Sequence, residues 1–232
     1  MRILHQLFLL ALVSITAIFF SCSSDRPDPA LQKISPNESG ITFSNTIESS
    51  DSSNAENEPF IYNGAGISVG DVNDDGLMDL YFTGNMVTSR LYLNRGDMNF
   101  EDVTKSAGVG TERWATGATM VDINGDGHLD IYVSVSNSGD VPAVERQNLL
   151  FINNGDETFS EQAADYGIDS IGFTTHSAFL DYDLDGDLDL FLLNNSPEEF
   201  SRSETGVMPM GCLLYTSPSP RDRTRSRMPS SA

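Results

Sequence analysis

The chain has 232 residues, with 34 acidic side chains against 13 basic ones and a formal net charge of −21. Such an acid excess excludes a general affinity for nucleic acid or an anionic membrane surface, since both need clustered lysine and arginine. Only two cysteines are present, too few for a disulfide framework, so stability must come from elsewhere.

In chain order, the N-terminus reads as an export signal. Arg2 supplies a short positive region, and Leu7 to Phe20 is apolar apart from Ser14 and Thr16. That run matches the core of a signal peptide and is short for a membrane span. Ser21-Cys22-Ser23 follows. A cysteine directly after a small residue at this point resembles the bacterial lipoprotein cleavage site. The expectation is that residues 1–21 are removed and that Cys22 carries a lipid, the chain's one tie to a membrane, at the bacterial outer membrane or cell surface. Residues 22–34 are polar and proline-containing and read as a flexible tether, and the acidic stretch Ser49 to Glu58 reads as a surface loop.

From residue 35 onward the sequence repeats, and repetition outranks other signals. Asp71-Val-Asn-Asp-Asp-Gly-Leu-Met-Asp79 recurs as Asp122-Ile-Asn-Gly-Asp-Gly-His-Leu-Asp130 and as Asp181-Tyr-Asp-Leu-Asp-Gly-Asp-Leu-Asp189. Leu91-Tyr-Leu-Asn94-Arg-Gly96-Asp97 through Phe100 recurs as Leu150-Phe-Ile-Asn153-Asn-Gly155-Asp156 through Phe159, and Ala107-Gly108-Val109 as Tyr166-Gly167-Ile168. Gly40-Ile41 reads as the end of a preceding partial unit. The second unit is longer by the polar stretch Ser138 to Arg146. Short apolar runs enter the acidic loops at Gly66–Gly70, Gly117–Val121 and Ser177–Leu180 and leave them at Leu80–Thr83, Ile131–Val135 and Leu190–Leu193. Leu91–Leu93 and Leu150–Ile152 end in Asn-x-Gly-Asp, a hairpin signal. No stretch of ten residues beyond the signal has helical periodicity. The expectation is an all-β fold of four short strands per unit, a partial β-propeller of about three blades over residues 35–211.

The tail, residues 212–232, changes character: it holds four of the 13 basic residues and one of the 34 acidic ones. Cys212 to Asp222 can be encoded by a transposase-based sequencing-library adapter read in frame, and Ser226 to Ala232 by the flow-cell end of such a library at a fitting separation. The expectation is that this tail is not native and that the gene runs on past Gly211. Three units do not close a propeller, so open strand edges and marginal folding in isolation are expected.

Each acidic loop has the form D-x-[DN]-x-D-G-x-x-D. A hard divalent cation takes six to eight oxygens at roughly 2.3–2.6 Å. Positions 1, 3 and 5 can turn side-chain oxygens onto one point: Asp71, Asn73 and Asp75; Asp122, Asn124 and Asp126; Asp181, Asp183 and Asp185. Glycine at position 6 reverses the chain. Position 7 can offer a backbone carbonyl, from Leu77, His128 or Asp187, and position 9 returns a further carboxylate, Asp79, Asp130 or Asp189. An all-oxygen set favours calcium over zinc or copper, and magnesium prefers strict octahedral geometry with retained waters. About three calcium sites are therefore expected. Position 12 is Phe82, Val133 or Leu192, where an EF-hand needs glutamate, so that loop is excluded. Like charges a few ångströms apart repel by roughly 1–4 kcal/mol per pair at moderate dielectric, so folding and metal binding should be linked, and the third loop, with Asp183 as an extra carboxylate, should bind most tightly.

The stretches GISVGDVNDDGLMDLYF, GATMVDINGDGHLDIYV and SAFLDYDLDGDLDLFLL resemble the FG-GAP/VCBS repeats of integrin-α-like propellers, and NRGDMNFEDVTKSAGV is similar to bacterial relatives of cartilage acidic protein. The resemblance covers about residues 35–200. It implies a propeller of about seven blades braced by calcium loops, and a C-terminal ASPIC/UnbV module beyond this chain. A non-enzymatic adhesion or ligand-binding module follows, with an unknown glycan or protein as ligand. The alternative is a secreted propeller enzyme with catalytic residues in later blades; no Ser/His/Asp set, phosphate-cradling glycine loop or Cys/His cluster appears in this chain. His128 is expected to point outward, His176 to precede a strand where other units have Gly66 and Gly117, and Trp114 to lead into one. Arg95-Gly96-Asp97 reads as part of the hairpin turn rather than as an adhesive tripeptide.

Overall fold

The computed structural model describes residues 31–51, 54, 61–136 and 141–195, together with the backbone of 213–217. The expected signal, Cys22, most of the tether, most of the 49–58 loop and the rest of the tail lie outside the described residues. The chain divides into two units, Met1–Ser35 and Pro36–Ala232; in the first, residues 31–35 are described and carry no helix or strand. Among the described residues no helix is long and apolar enough to cross a membrane.

Short β-branched and aromatic runs between glycine- and aspartate-rich turns form strands. The first sheet contains β1 (Ile67–Gly70), β2 (Asp79–Phe82), β3 (Arg90–Asn94) and β4 (Phe100–Asp102). The second contains β5 (Ala115–Val121), β6 (Asp130–Val135), β7 (Leu149–Asn153) and β8 (Phe159–Glu161). Both are four-stranded antiparallel meanders in sequence order. The third pairs β9 (Thr174–Leu180) with β10 (Asp189–Asn194). A further strand, β11 (Leu213–Ser217), lies along β10. It falls in the tail expected to be adapter-encoded; pairing on an open edge uses backbone groups alone and is indifferent to sequence. The fold is all-β, as expected. Its described helices are single turns.

Registers repeat from sheet to sheet. Gly70 pairs with Asp79, Val121 with Asp130 and Leu180 with Asp189, so each acidic loop is closed at the same rung. Asn94 pairs with Phe100 and Asn153 with Phe159 at the second hairpin. The chain leaves β4 through α2 (Thr104–Ala107) and β8 through α3 (Ala163–Tyr166), ended by Gly108 at φ 75° and Gly167 at φ 66°. The earlier turn α1 (Pro36–Ser39) ends the same way at Gly40, φ 76°.

The sheets stack face to face. Ile131, Val133 and Val135 of β6 join Tyr81, Leu91 and Leu93 of the first sheet in one core. Tyr132, on the opposite face, joins Leu190 and Leu192 of the third in another. All six residues of β6 are buried, which is why Ile131 to Val135 is nearly continuously apolar rather than alternating. Tyr81 donates its hydroxyl to Val109 O at 2.8 Å and Tyr132 to Ile168 O at 2.8 Å, pinning the segment after each single-turn helix. The free face of the first sheet is capped by Phe43, stacked on Phe82 with centroids 5.0 Å apart.

The first strands of successive sheets approach closely. Thr116 donates to Thr174 O at 2.7 Å, and Met120 N donates to Ser68 Oγ at 3.1 Å. His176 lies within β9 rather than ahead of it, correcting the sequence reading. The strand starts at Thr174 because that buried hydroxyl is satisfied by Asn194 Oδ1 at 2.8 Å.

Candidate metal centre

The three acidic loops run from the end of the first strand of each sheet to the start of the second, and they are built alike. At position 1, Asp71 accepts from Asp75 N at 3.2 Å and Gly76 N at 2.7 Å. Asp122 accepts from Asp126 N at 3.1 Å and Gly127 N at 3.0 Å, and Asp181 from Asp185 N and Gly186 N, both at 3.1 Å. Position 5 holds the amide of position 7: Asp75 from Leu77 N at 2.8 Å, Asp126 from His128 N at 2.8 Å, Asp185 from Asp187 N at 3.0 Å. The oxygen of position 3 accepts from the position-5 amide, 3.4 Å for Asn73, 3.0 Å for Asn124 and 3.3 Å for Asp183. Residues 1, 3 and 5 are thus oriented by short-range bonds before any ligand is considered.

The backbone repeats as well. Position 6 is left-handed at Gly76, Gly127 and Gly186, with φ 84°, 94° and 93°. Position 4 is also left-handed, at Asp74, Gly125 and Leu184, with φ 57°, 72° and 62°. The latter requirement escapes a reading of residue types, because aspartate, glycine and leucine share no chemistry; only the common register of the loops points to it.

Position 9 has a role beyond the one read from sequence. Asp79, Asp130 and Asp189 each accept through Oδ2 from the amide of position 2, Val72, Ile123 and Tyr182, all at 2.9 Å. In the first two loops Oδ1 accepts the amide that ends the third strand, Asn94 at 2.8 Å and Asn153 at 2.9 Å. Asp79 and Asp130 are fully buried. Burial, against the pull of the Asn153 and Ile123 amides and with the help of Asp126 and Asp122, pushes the Asp130 carboxyl up to about 6. Burial likewise raises Asp79, opposed by Asn94 and Val72 and aided by Asp75 and Asp71. Asp126 is held below the usual range, first by the His128 amide and also by the Asn124 side chain.

The loops therefore gather carboxylates in a partly dehydrated setting with no lysine or arginine among the residues of positions 1 to 9. A hard divalent cation suits this donor set, which is all oxygen. In the third loop Asp181, Asp183 and Asp189 offer oxygens that all lie within 4.8 Å of one another, close enough to surround one ion. Asp71, Asn73, Asp75 and Asp79 of the first loop, and Asp122, Asn124, Asp126 and Asp130 of the second, stand at the same loop positions.

Asn94 and Asn153 were missed as members of this site, having been read only as turn residues. They do make the turn, accepting from Gly96 N and Gly155 N, both at 3.0 Å, but they also bind position 9. Their recurrence directly after the apolar runs Leu91–Leu93 and Leu150–Ile152 was the available signal. His128 does not simply point outward: its Nδ1 lies 2.6 Å from Asp74 Oδ2 of the preceding loop. In the Arg95-Gly96-Asp97 turn, Arg95 is spent on Glu101 at 2.8 Å and Glu157 at 3.4 Å.

No curated protein matches the chain. A family model, the FG-GAP-like repeat, matches residues 71–133, which run from the first acidic loop through the second and into β6. With the same loop, rung and meander recurring on both sides of the boundary between the first two sheets, the chain carries an FG-GAP-like repeat over these residues.

Proposed function

We propose that the chain is a calcium-braced, non-enzymatic binding or adhesion module of the bacterial envelope, with its sheets serving as successive blades of a propeller. The observation that carries this reading is the threefold recurrence of one loop backbone with one oxygen-only donor set. Asp71, Asn73, Asp75 and Asp79 would hold the first cation, Asp122, Asn124, Asp126 and Asp130 the second, and Asp181, Asp183, Asp185 and Asp189 the third, with the carbonyls of Leu77, His128 and Asp187 completing the sets.

Calcium supplies positive charge that offsets carboxylates brought together by folding; its part here is structural. In the first two sheets the loops sit beside the Asn-x-Gly-Asp hairpins at one end of the sheet, so bracing them stiffens an edge that a glycan or a protein ligand can meet. Cys22, lipidated, tethers the chain to the envelope.

The test is thermal unfolding of the full chain with excess chelator and with calcium or magnesium. Ligand present at a hundred times its dissociation constant stabilises by about 2.7 kcal/mol per site. Calcium should raise the midpoint by several degrees and magnesium by much less. An unfolding midpoint indifferent to calcium and chelator would remove the metal from the function.

A further inference from the structure

The first two acidic loops are joined by three separate contacts. Asn153, 3% exposed at the end of β7, gives its backbone N–H to Asp130 Oδ1. Its side-chain amide donates to Leu129 O of the same loop at 3.1 Å and to Val72 O of the first loop at 2.7 Å. Val72 in turn gives its own N–H to Asp79 Oδ2 at 2.9 Å. One buried residue thus connects position 9 of the second loop, through its backbone N–H, to position 2 of the first, through its side-chain amide, and by way of Val72 to position 9 of the first. His128 Nδ1 meets Asp74 Oδ2 at 2.6 Å. Finally, Leu129 fills the space above Gly70, where a Cβ would lie 2.7 Å from its Cδ1; Gly70 immediately precedes Asp71.

We infer that these two loops bind their cations cooperatively, with Asn153 as the coupling residue. The inference rests on the calcium reading above. A cation that fixes Asp130 also fixes the Asn153 backbone bonded to it, and with it the side-chain amide that holds Val72 in place to meet Asp79. Filling either loop lowers the ordering cost of the other, and the effect is reciprocal by linkage. The His128–Asp74 contact cannot recur one loop further on through the same pair of positions, because position 4 of the second loop is Gly125, which has no side chain.

Calorimetric calcium titration of the full chain tests this. With the third loop silenced by Asp181→Asn, first-loop affinity is measured with the second loop intact and with it silenced by Asp122→Asn; the reciprocal pair uses Asp71→Asn. Silencing one of the two lowers the affinity of the other about five-fold or more. Asn153→Ala abolishes the coupling. Because that change also releases Asp130, Asp74→Gly is the milder variant. It copies Gly125, suits the left-handed backbone, keeps every expected ligand and cuts the His128 contact, so cooperativity weakens while both loops still bind. First and second loops that fill independently in the unaltered chain overturn the coupling and leave the calcium reading intact. Absence of any calcium heat in the unaltered chain overturns both.

Discussion

Gly66 and Gly117 face each other across the first two sheets so closely that a Cβ on Gly66 would lie 2.7 Å from Gly117 Cα. The obstacle is backbone, which has nowhere to move: Gly66 is itself bonded on both sides to Thr83, through its amide to Oγ1 at 2.6 Å and through its carbonyl from Thr83 N at 3.0 Å. On Gly117 a Cβ would meet His176 Nδ1 at 3.0 Å and Thr175 O at 3.1 Å, a softer neighbourhood. Gly66→Ala should therefore destabilise by about 1–3 kcal/mol and Gly117→Ala by less, measured by urea unfolding in calcium. Equal costs would mean that the strands can slide apart.

The buried carboxyls of Asp130 and Asp79 set a pH dependence with a definite sign. Because burial raises Asp130 to about 6 from its ordinary 3.8, the metal-free folded chain takes up a proton more readily than the unfolded one. Metal-free stability should then increase as pH falls from 7.5 through 6, level off near 4, and be lost again as pH rises. Asp126, shifted the other way, acts below its ordinary 3.8, outside that window. Calcium competes with the same proton, so calcium-loaded stability should run in reverse over this interval. Thermal melts at pH 5 and 7.5, in chelator and in calcium, give the comparison; a metal-free midpoint that falls on acidification would mean that the Asn153 and Ile123 amides outweigh dehydration.

Leu184 occupies a left-handed position with its side chain 85% exposed. A leucine there costs about 1–2 kcal/mol in backbone strain and recovers nothing by burial. Glycine, the residue of the second loop at this position, should stabilise the third loop by about 0.5–1 kcal/mol. The readout is the thermal midpoint of Leu184→Gly with calcium bound.

Tyr81 and Tyr132 each direct a wholly buried hydroxyl to a carbonyl in the segment that follows a single-turn helix. Phenylalanine at either site keeps the ring packing and strands a buried carbonyl. Tyr81→Phe and Tyr132→Phe should each cost about 1–2 kcal/mol by chemical denaturation, with little change in calcium affinity, since the hydroxyls removed bond to Val109 O and Ile168 O, outside the acidic loops. A large affinity loss would place these residues in the communication between core and loops.

Much of this architecture was legible in the residues because its signals are local and repeated. The strands around the loops were found by apolar runs, and the loops by a motif whose spacing reflects a single turn of backbone. What escaped reading depends on neighbours distant in sequence. His128 meets Asp74 54 residues away, and Asn153 meets Val72 81 residues away, through the stacking of separate sheets. The start of β9 ahead of Ser177 was hidden because Thr174 is polar yet buried, satisfied by Asn194 in the neighbouring strand. In β4 and β8 a single inward residue, Phe100 or Phe159, anchors a strand three residues long, too short for an alternation to show.

Each complete sheet takes all of its strands from one uninterrupted stretch, 67–102 for the first and 115–161 for the second. Every rung within a sheet therefore closes a short span of chain, which keeps the entropy of ordering small. A growing polypeptide can finish one sheet before the next has been made, each completed face serving as the template on which its successor condenses. Assembly then proceeds in the direction of synthesis, and a disruptive substitution in one sheet burdens mainly its immediate neighbours, in the manner of a one-dimensional array.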